Sequence, residues 1–212
     1  MRRLLSILAP LVALPLGWMA LTSLAPGSSV ATWAPCPRNW GWLPAYLPRQ
    51  SPLVALPFRM GDTRVKVCYG SPSLAGRTMI GGDAVPFGRL WRTGANEPTT
   101  IHADGPFRFG ELPLPAGSYA IYTIPGAREW QILVNRSTRQ WGLESEYDDA
   151  VARREVGRFA MAPEHLASSV ETMRFRAESS ATAAVDLVFE WQTTRLRIPL
   201  AEGFGEIDLE TP

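Results

Sequence analysis

The polar side chains best placed for chemistry lie between residues 77 and 97. Arg77, Arg92, Asn96 and Glu97 occur there among several glycines. An arginine beside a carboxylate can hold an anionic or polar ligand by paired hydrogen bonds. The Gly-Ala-Asn segment before Glu97 can turn sharply and aim its neighbours into a cleft. These residues therefore predict a binding site for a small polar ligand. The alternative is a structural clamp, in which an Arg–Glu pair and an asparagine turn fasten this loop to the fold.

Tryptophans offer a second way to bind a ligand, because a flat aromatic face can stack on a sugar ring. Trp130, Trp141 and Trp191 are the candidates for such a platform. Trp191 alternates with apolar residues and is therefore expected in the core. Trp141 lies in a Gln-Trp-Gly segment and is the better candidate for exposure, so it joins the candidate ligand-binding residues.

Catalytic signatures are sparse in this sequence. The nucleophile and metalloprotease motifs GxSxG, SxxK and HExxH do not occur. Lys66 is the single lysine, and two histidines, His102 and His165, with two cysteines exclude a metal site rich in those ligands. We therefore predict no catalytic residue, no metal and no cofactor, and lean away from an enzyme without excluding one.

A two-residue period in hydrophobicity dominates the chain from residue 62 onward and predicts β-strands. The alternation is clearest in three segments, residues 173–177, 185–191 and 196–200. Residues 119–124 and 130–134 predict a hairpin, and a second tight hairpin is expected near Gln192. Residues 144–154 carry the one helical pattern of the body. The sequence therefore predicts an all-β fold, a β-sandwich or jelly-roll-like body.

Several segments of the body resemble one bacterial family. The stretch GRTMIGGDAVPFGRLWRTGANEPTT at residues 76–100 is similar to the core motif of Domain of Unknown Function 2911. LPAGSYAIYTIPG, EWQILVN, QWG and LVFEWQTTRLRIPL resemble it in the same order. The resemblance covers roughly residues 50–200. It implies an exported, β-rich domain, and it implies no reaction, because the family's activity is unassigned.

The first 25 residues predict a transmembrane helix. Residues 4–25 carry no charge, and the next charged residue is Arg38. As a helix, this segment would span about 33 Å, which is enough for a hydrocarbon core of about 30 Å. The two arginines before it predict a cytoplasmic N-terminus and a body in the periplasm, in a single-pass protein of the bacterial inner membrane. A cleaved signal peptide is the alternative, although its apolar region is usually shorter.

A linker rich in proline and tryptophan, residues 26–57, is expected between the anchor and the β-sandwich domain of residues 58–212. Its aromatic side chains predict either a place at the lipid headgroups or docking on the body or on a partner. The candidate membrane- or partner-contacting residues are Trp18, Trp33, Trp40 and Trp42.

Cys36 and Cys68 are expected to form a disulfide in an oxidising compartment. The disulfide would tie the linker over the outer face of a strand. The alternative is two free thiols.

Charge and composition limit the partners. Residues 60–212 hold sixteen basic and twenty acidic residues, a net charge of −4, which disfavours nucleic acid as a partner.

The kinked anchor, with Pro10 and Pro15, and the aromatic linker favour integral membrane protein partners. The function expected is therefore a non-catalytic accessory or stabilising subunit of a larger inner-membrane complex, for which a respiratory or photosynthetic complex is a natural host. The alternative is a periplasmic small-ligand or glycan-binding domain, with or without enzymatic activity, that uses the Arg92, Asn96 and Glu97 cluster.

Overall fold

A computed structural model describes residues 29–38, 49–141, 144–181 and 183–203. The predicted anchor at residues 1–25 lies outside the described residues, as do Trp18, Trp40 and Trp42. Within the described ranges, no helix has the length and apolar character needed to cross a bilayer.

The described residues form two antiparallel sheets, which confirms the all-β prediction. The strands are β1 (Leu53–Met60), β2 (Thr63–Gly70), β3 (Thr99–Ala103), β4 (Phe107–Phe109), β5 (Leu112–Leu114), β6 (Gly117–Ile124), β7 (Trp130–Asn135), β8 (Glu155–Met161), β9 (Glu164–Ser179) and β10 (Val185–Glu202). One sheet has the order β1-β2-β3-β6-β7-β8 and the other the order β5-β4-β10-β9. The predicted hairpin at residues 119–134 is β6 and β7.

The two sheets share one apolar core, as in a β-sandwich. Alternate residues of each strand point to opposite faces, so one face of each sheet supplies the core. The largest fully buried side chains of this core include Trp130, Trp191, Tyr119, Phe107, Phe109 and Phe189. The predicted core position of Trp191 is therefore confirmed, and Trp130 is equally closed to any ligand.

The predicted tight hairpin near Gln192 is wrong. Strand β10 passes through this position without reversing, and β9 and β10 form one long hairpin, in which β9 ends at Ser179 and β10 begins at Val185. Gln192 has a φ of 54°, and the register with β9 shifts on both sides of it. A bulge therefore occurs where the polar Gln-Thr-Thr run suggested a turn, because a bulge and a turn use similar residue types.

The predicted helical segment at residues 144–154 is short in the structure. It contains a 3-10 turn, Glu144–Glu146, and one helical turn, Asp149–Ala152. The Asp148 carboxylate accepts a hydrogen bond from the Val151 N–H at 2.9 Å and caps that turn.

Part of the predicted linker is docked on the body. Helix α1 (Ser29–Trp33) lies against β2 and β3. The disulfide between Cys36 and Cys68 is present and ties this segment to the outer face of the six-stranded sheet, as predicted. The Lys66 Nζ donates a hydrogen bond to the Ala34 carbonyl oxygen beside it. The first strand begins at Leu53, so the end of the predicted linker belongs to the sheet.

Candidate functional site

Trp91 fixes the loop that carries most of the candidate residues. Its backbone exchanges two hydrogen bonds with Thr123 of β6, at 2.7 and 2.8 Å. Its ring stacks on Trp191 at a centroid distance of 5.8 Å, and its indole N–H donates to the Gly94 carbonyl oxygen at 3.1 Å. The loop after Trp91 is therefore anchored to both sheets.

The sharp turn predicted before Glu97 is present. Asn96 has a φ of 66°, in the left-handed region that asparagine tolerates better than most residues. Its side-chain amide donates to the Ser51 carbonyl oxygen at 3.3 Å. Thr99 Oγ1 donates to the Thr93 carbonyl oxygen at 2.7 Å across the base of the loop. Asn96 thus holds the loop against the chain that leads into β1.

Glu97 pairs with an arginine of the predicted linker, and the sequence did not suggest this partner. The Arg49 Nη1 lies 2.7 Å from Glu97 Oε1 and 2.6 Å from Oε2. The Glu97 residue is only 3% exposed. The Arg49 guanidinium carbon also lies 5.5 Å from the centre of the Trp141 ring. Glu97 and Trp141, two candidate ligand-binding residues, are therefore brought together around Arg49.

Arg92 pairs with the short helical segment. Its Nη1 donates to Glu144 Oε1 at 3.3 Å. Both Arg92 and Glu144 border a groove formed by the same loop. Arg92 and Glu97, expected to act as one cluster, thus serve two separate places in the fold.

Arg77 lies apart from both places. It is exposed, and its Nε donates to the Leu74 carbonyl oxygen at 3.0 Å. Its Nη2 also donates to the Ser73 carbonyl oxygen at 3.3 Å, so Arg77 stabilises the turn to which it belongs.

A groove opens beside Arg92 in the loop region. A space of about 480 Å³ opens between Asp83, Arg89, Leu90, Trp91 and Glu144. A smaller space of about 130 Å³ shares Trp91 and Glu144 with it and is also lined by Trp191 and Arg92. The groove combines an aromatic floor with charges of both signs. Ala84, Val85 and Pro86 complete the wall of the larger space, and Phe87, beside them in the chain, is 49% exposed.

A third polar group lies beneath α1. Lys66 lies on the outer face of β2, which α1 covers, and burial lowers the pKa of Lys66 to about 8. His102 lies opposite Lys66, with Nε2 3.0 Å from the Thr100 hydroxyl and Nδ1 2.7 Å from the Ser118 hydroxyl. Burial first, and the charge of Lys66 second, lower the pKa of His102 to about 3. His102 is therefore neutral at physiological pH.

Of the four tryptophans predicted to contact a membrane or partner, Trp33 is the one that the structure describes. It is 56% exposed at the end of α1. Its neighbours Thr32 and Ala34 are buried, so the helix packs on the body with the Trp33 ring on its solvent-exposed side.

A family model described as "Protein of unknown function (DUF2911)" matches residues 51–200. The chain belongs to this family. The DUF2911 domain therefore includes both sheets, the Trp91 loop, Glu97 and Trp141, whereas Arg49 and α1 precede it. No curated protein and no solved structure matches the chain.

Proposed function

We propose that this DUF2911 protein is a membrane-anchored periplasmic domain that acts by binding protein, as a non-catalytic accessory or stabilising subunit of a larger inner-membrane complex. The observation that carries the proposal is the docked segment at residues 29–38. A disulfide and the Lys66 contact fasten this segment to the body, and Trp33 is turned outward from it.

This attachment restricts where the body can sit. Residues 26–28 separate the predicted anchor from α1, and a chain of this length reaches at most about 14 Å when extended. If residues 4–25 span the membrane, α1 and the outer face of the six-stranded sheet are held near the bilayer surface. An exposed tryptophan at that level suits the headgroup region or the flank of an integral membrane protein. A respiratory or photosynthetic complex is a natural host.

Extraction of native membranes in mild detergent tests the proposal. A tagged copy is run on a native gel, and co-migrating proteins are identified by mass spectrometry. We expect migration in a large complex with defined membrane partners, and partial release of the tagged chain when Trp33→Ala is introduced. Phe87→Ala is the matched control, because it removes an exposed aromatic ring far along the chain from α1. Migration as a monomer with no partner would refute the proposal.

The groove beside Arg92 supports a second candidate function, the binding of a small polar ligand or glycan. Its volume, about 480 Å³, falls in the range of about 300–1,000 Å³ that small-molecule sites occupy. Trp91 and Glu144 line this space, and Arg92, which lines the adjoining space of about 130 Å³, pairs with Glu144, so a donor and an acceptor lie side by side where the two spaces meet.

Thermal-shift screening of the detergent-solubilised chain against sugars and small zwitterions tests this second function. A compound that binds in the groove should stabilise the parent protein, and Arg92→Gln should weaken its binding by about tenfold, the effect of losing one charged hydrogen bond. Arg77→Gln is the control, since it removes an arginine that braces a turn outside the groove. Equal effects of the two substitutions would exclude the groove as the site.

A further inference from the structure

Arg49 occupies a site built from two distant parts of the DUF2911 domain. Glu97 lies two residues before β3, and Trp141 lies six residues after β7. The two carboxylate oxygens of Glu97 accept hydrogen bonds from the Arg49 Nη1 at 2.6 and 2.7 Å, and the centre of the Trp141 ring lies 5.5 Å from the guanidinium carbon. A carboxylate combined with an aromatic face suits the planar, weakly hydrated guanidinium ion better than it suits ammonium.

The burial of Glu97 shows that the site requires a cation. The Glu97 side chain is 4% exposed, and the Arg49 side chain 18%. Removal of an ionised carboxylate from water is strongly unfavourable unless a cation with good hydrogen-bond geometry accompanies it. Both components of the site lie in the family domain, whereas the cation is supplied by the linker, two residues before the matched region begins.

We infer that Glu97 and Trp141 form a guanidinium-binding site, in which Arg49 is an intramolecular ligand that an external guanidinium group can replace. This site is separate from the groove, whose lining includes neither Glu97 nor Trp141. The inference goes beyond the proposed function, because it assigns a ligand class to a second place in the domain. Because Arg49 is tethered, its effective concentration at the site is in the millimolar range. An external guanidinium therefore competes poorly with Arg49 in the parent protein.

Chemical rescue of Arg49→Ala tests the inference, with ethylguanidinium as the probe and the full detergent-solubilised chain as the protein. We expect Arg49→Ala to lower Tm, and ethylguanidinium at millimolar concentration to restore part of the loss in a saturable manner. The parent protein should not respond in this range, because Arg49 fills its site. Ethylammonium at the same concentrations is the matched control and should rescue less.

Two further variants assign the response to the site. Arg49→Ala combined with Glu97→Gln should not bind ethylguanidinium in calorimetric titrations. Arg49→Ala combined with Trp141→Leu should bind it about tenfold more weakly, as expected for the loss of a partly buried cation–π contact. If Arg49→Ala does not fold, Arg49→Lys keeps a cation in place, and ethylguanidinium should displace the lysine and raise Tm. A folded Arg49 variant with no saturable response overturns the inference.

Discussion

Lys66 and His102 lie directly opposite each other on β2 and β3, beneath helix α1. Their facing positions explain why His102 stays neutral. Burial removes the water that would solvate an imidazolium ion, and the nearby ammonium of Lys66 opposes a second positive charge. The hydroxyls of Thr100 and Ser118 satisfy the two ring nitrogens. The polar layer under α1 is therefore a hydrogen-bonded support for the docked segment.

A pH dependence of stability follows from His102. Its pKa is about 3 in the folded protein and about 6.5 in the unfolded chain, so the unfolded chain binds more protons between these values. The free energy of unfolding therefore decreases as the pH falls from 6.5 toward 3, with a slope of up to about 1.4 kcal/mol per pH unit from this group.

Urea unfolding at several pH values between 4.5 and 7.5 measures this slope. The substitution His102→Gln keeps hydrogen-bonding capacity and removes the titration, so it should flatten the slope. His165→Gln is the control, because His165 is exposed on β9. An unchanged slope in His102→Gln would show that other groups cause the acid sensitivity.

Removal of the disulfide should loosen α1 as well as destabilise the fold. The bridge closes a loop with a sequence separation of 32 residues, so Cys36→Ser is expected to cost about 3–4 kcal/mol of unfolding free energy on the chain-entropy model. Release of α1 would also readmit water to His102, and the pKa of His102 should rise toward its ordinary value. Urea unfolding gives the first quantity and NMR titration of the imidazole the second.

The Cys68→Ser variant and the reduced parent protein should behave like Cys36→Ser. A drop in stability without a change in the His102 pKa would mean that α1 stays docked through its remaining contacts, among them the Lys66 hydrogen bond.

The strands and the disulfide could be predicted because their signals are local or depend on the compartment. The alternation around Phe175 and Phe189 places both rings in the core, and the structure pairs them directly across β9 and β10. Cys68 alternates with core residues, so its sulfur had to lie on the outer face, where Cys36 could reach it. Neither the core positions nor the disulfide prediction depends on which strands are neighbours in a sheet.

The candidate site could be predicted only in part, because its pairing depends on tertiary contacts. Arg92 and Glu97 are five residues apart in the chain, yet they serve different places, and the partner of Glu97 is 48 residues away. The burial of Lys66 results from α1, which a strand pattern cannot reveal. The residues around Gln192 predict a turn where the structure has a bulge, since both features use a positive φ or a break in the hydrogen-bond ladder.

Glu190 should be the most sensitive charge on the outer face of the four-stranded sheet. It is 1% exposed and accepts hydrogen bonds from Arg195, Arg174 and Arg176 at 2.8, 2.9 and 3.0 Å. Burial, the largest single influence, raises its pKa, but the hydrogen bonds from Arg195 and Arg174 together with the charges of Arg176 and Arg174 outweigh burial and hold the pKa below the ordinary value. Glu190→Gln is therefore expected to cost about 2–4 kcal/mol at neutral pH.

Glu178→Gln provides the comparison on the same face. Glu178 pairs with Arg197 at 2.7 Å, but its side chain is 30% exposed, and an ion pair in solvent contributes less than about 1 kcal/mol. Urea unfolding of the two variants at pH 7 should separate them. Similar costs would mean that the arginines relax and stay solvated when Glu190 loses its charge.

The last prediction concerns Gly70, which sets how closely the loop carrying Glu97 approaches β2. The Ala95 N–H donates to the Gly70 carbonyl oxygen at 3.2 Å, and a Cβ on Gly70 would lie only 1.9 Å from the Ala95 carbonyl oxygen. Because that neighbour is backbone, Gly70→Ala must push the loop away, and we expect a loss of more than about 2 kcal/mol. The shift should also weaken the contact between Arg49 and Glu97.

Gly76→Ala is the control for Gly70→Ala, since Gly76 has a φ of 75° but open space around its Cβ position. The Gly76→Ala substitution should therefore cost only about 1 kcal/mol of backbone strain. Equal losses in urea unfolding would mean that the loop yields without resistance, and the close approach at Gly70 would then not hold Glu97 in place.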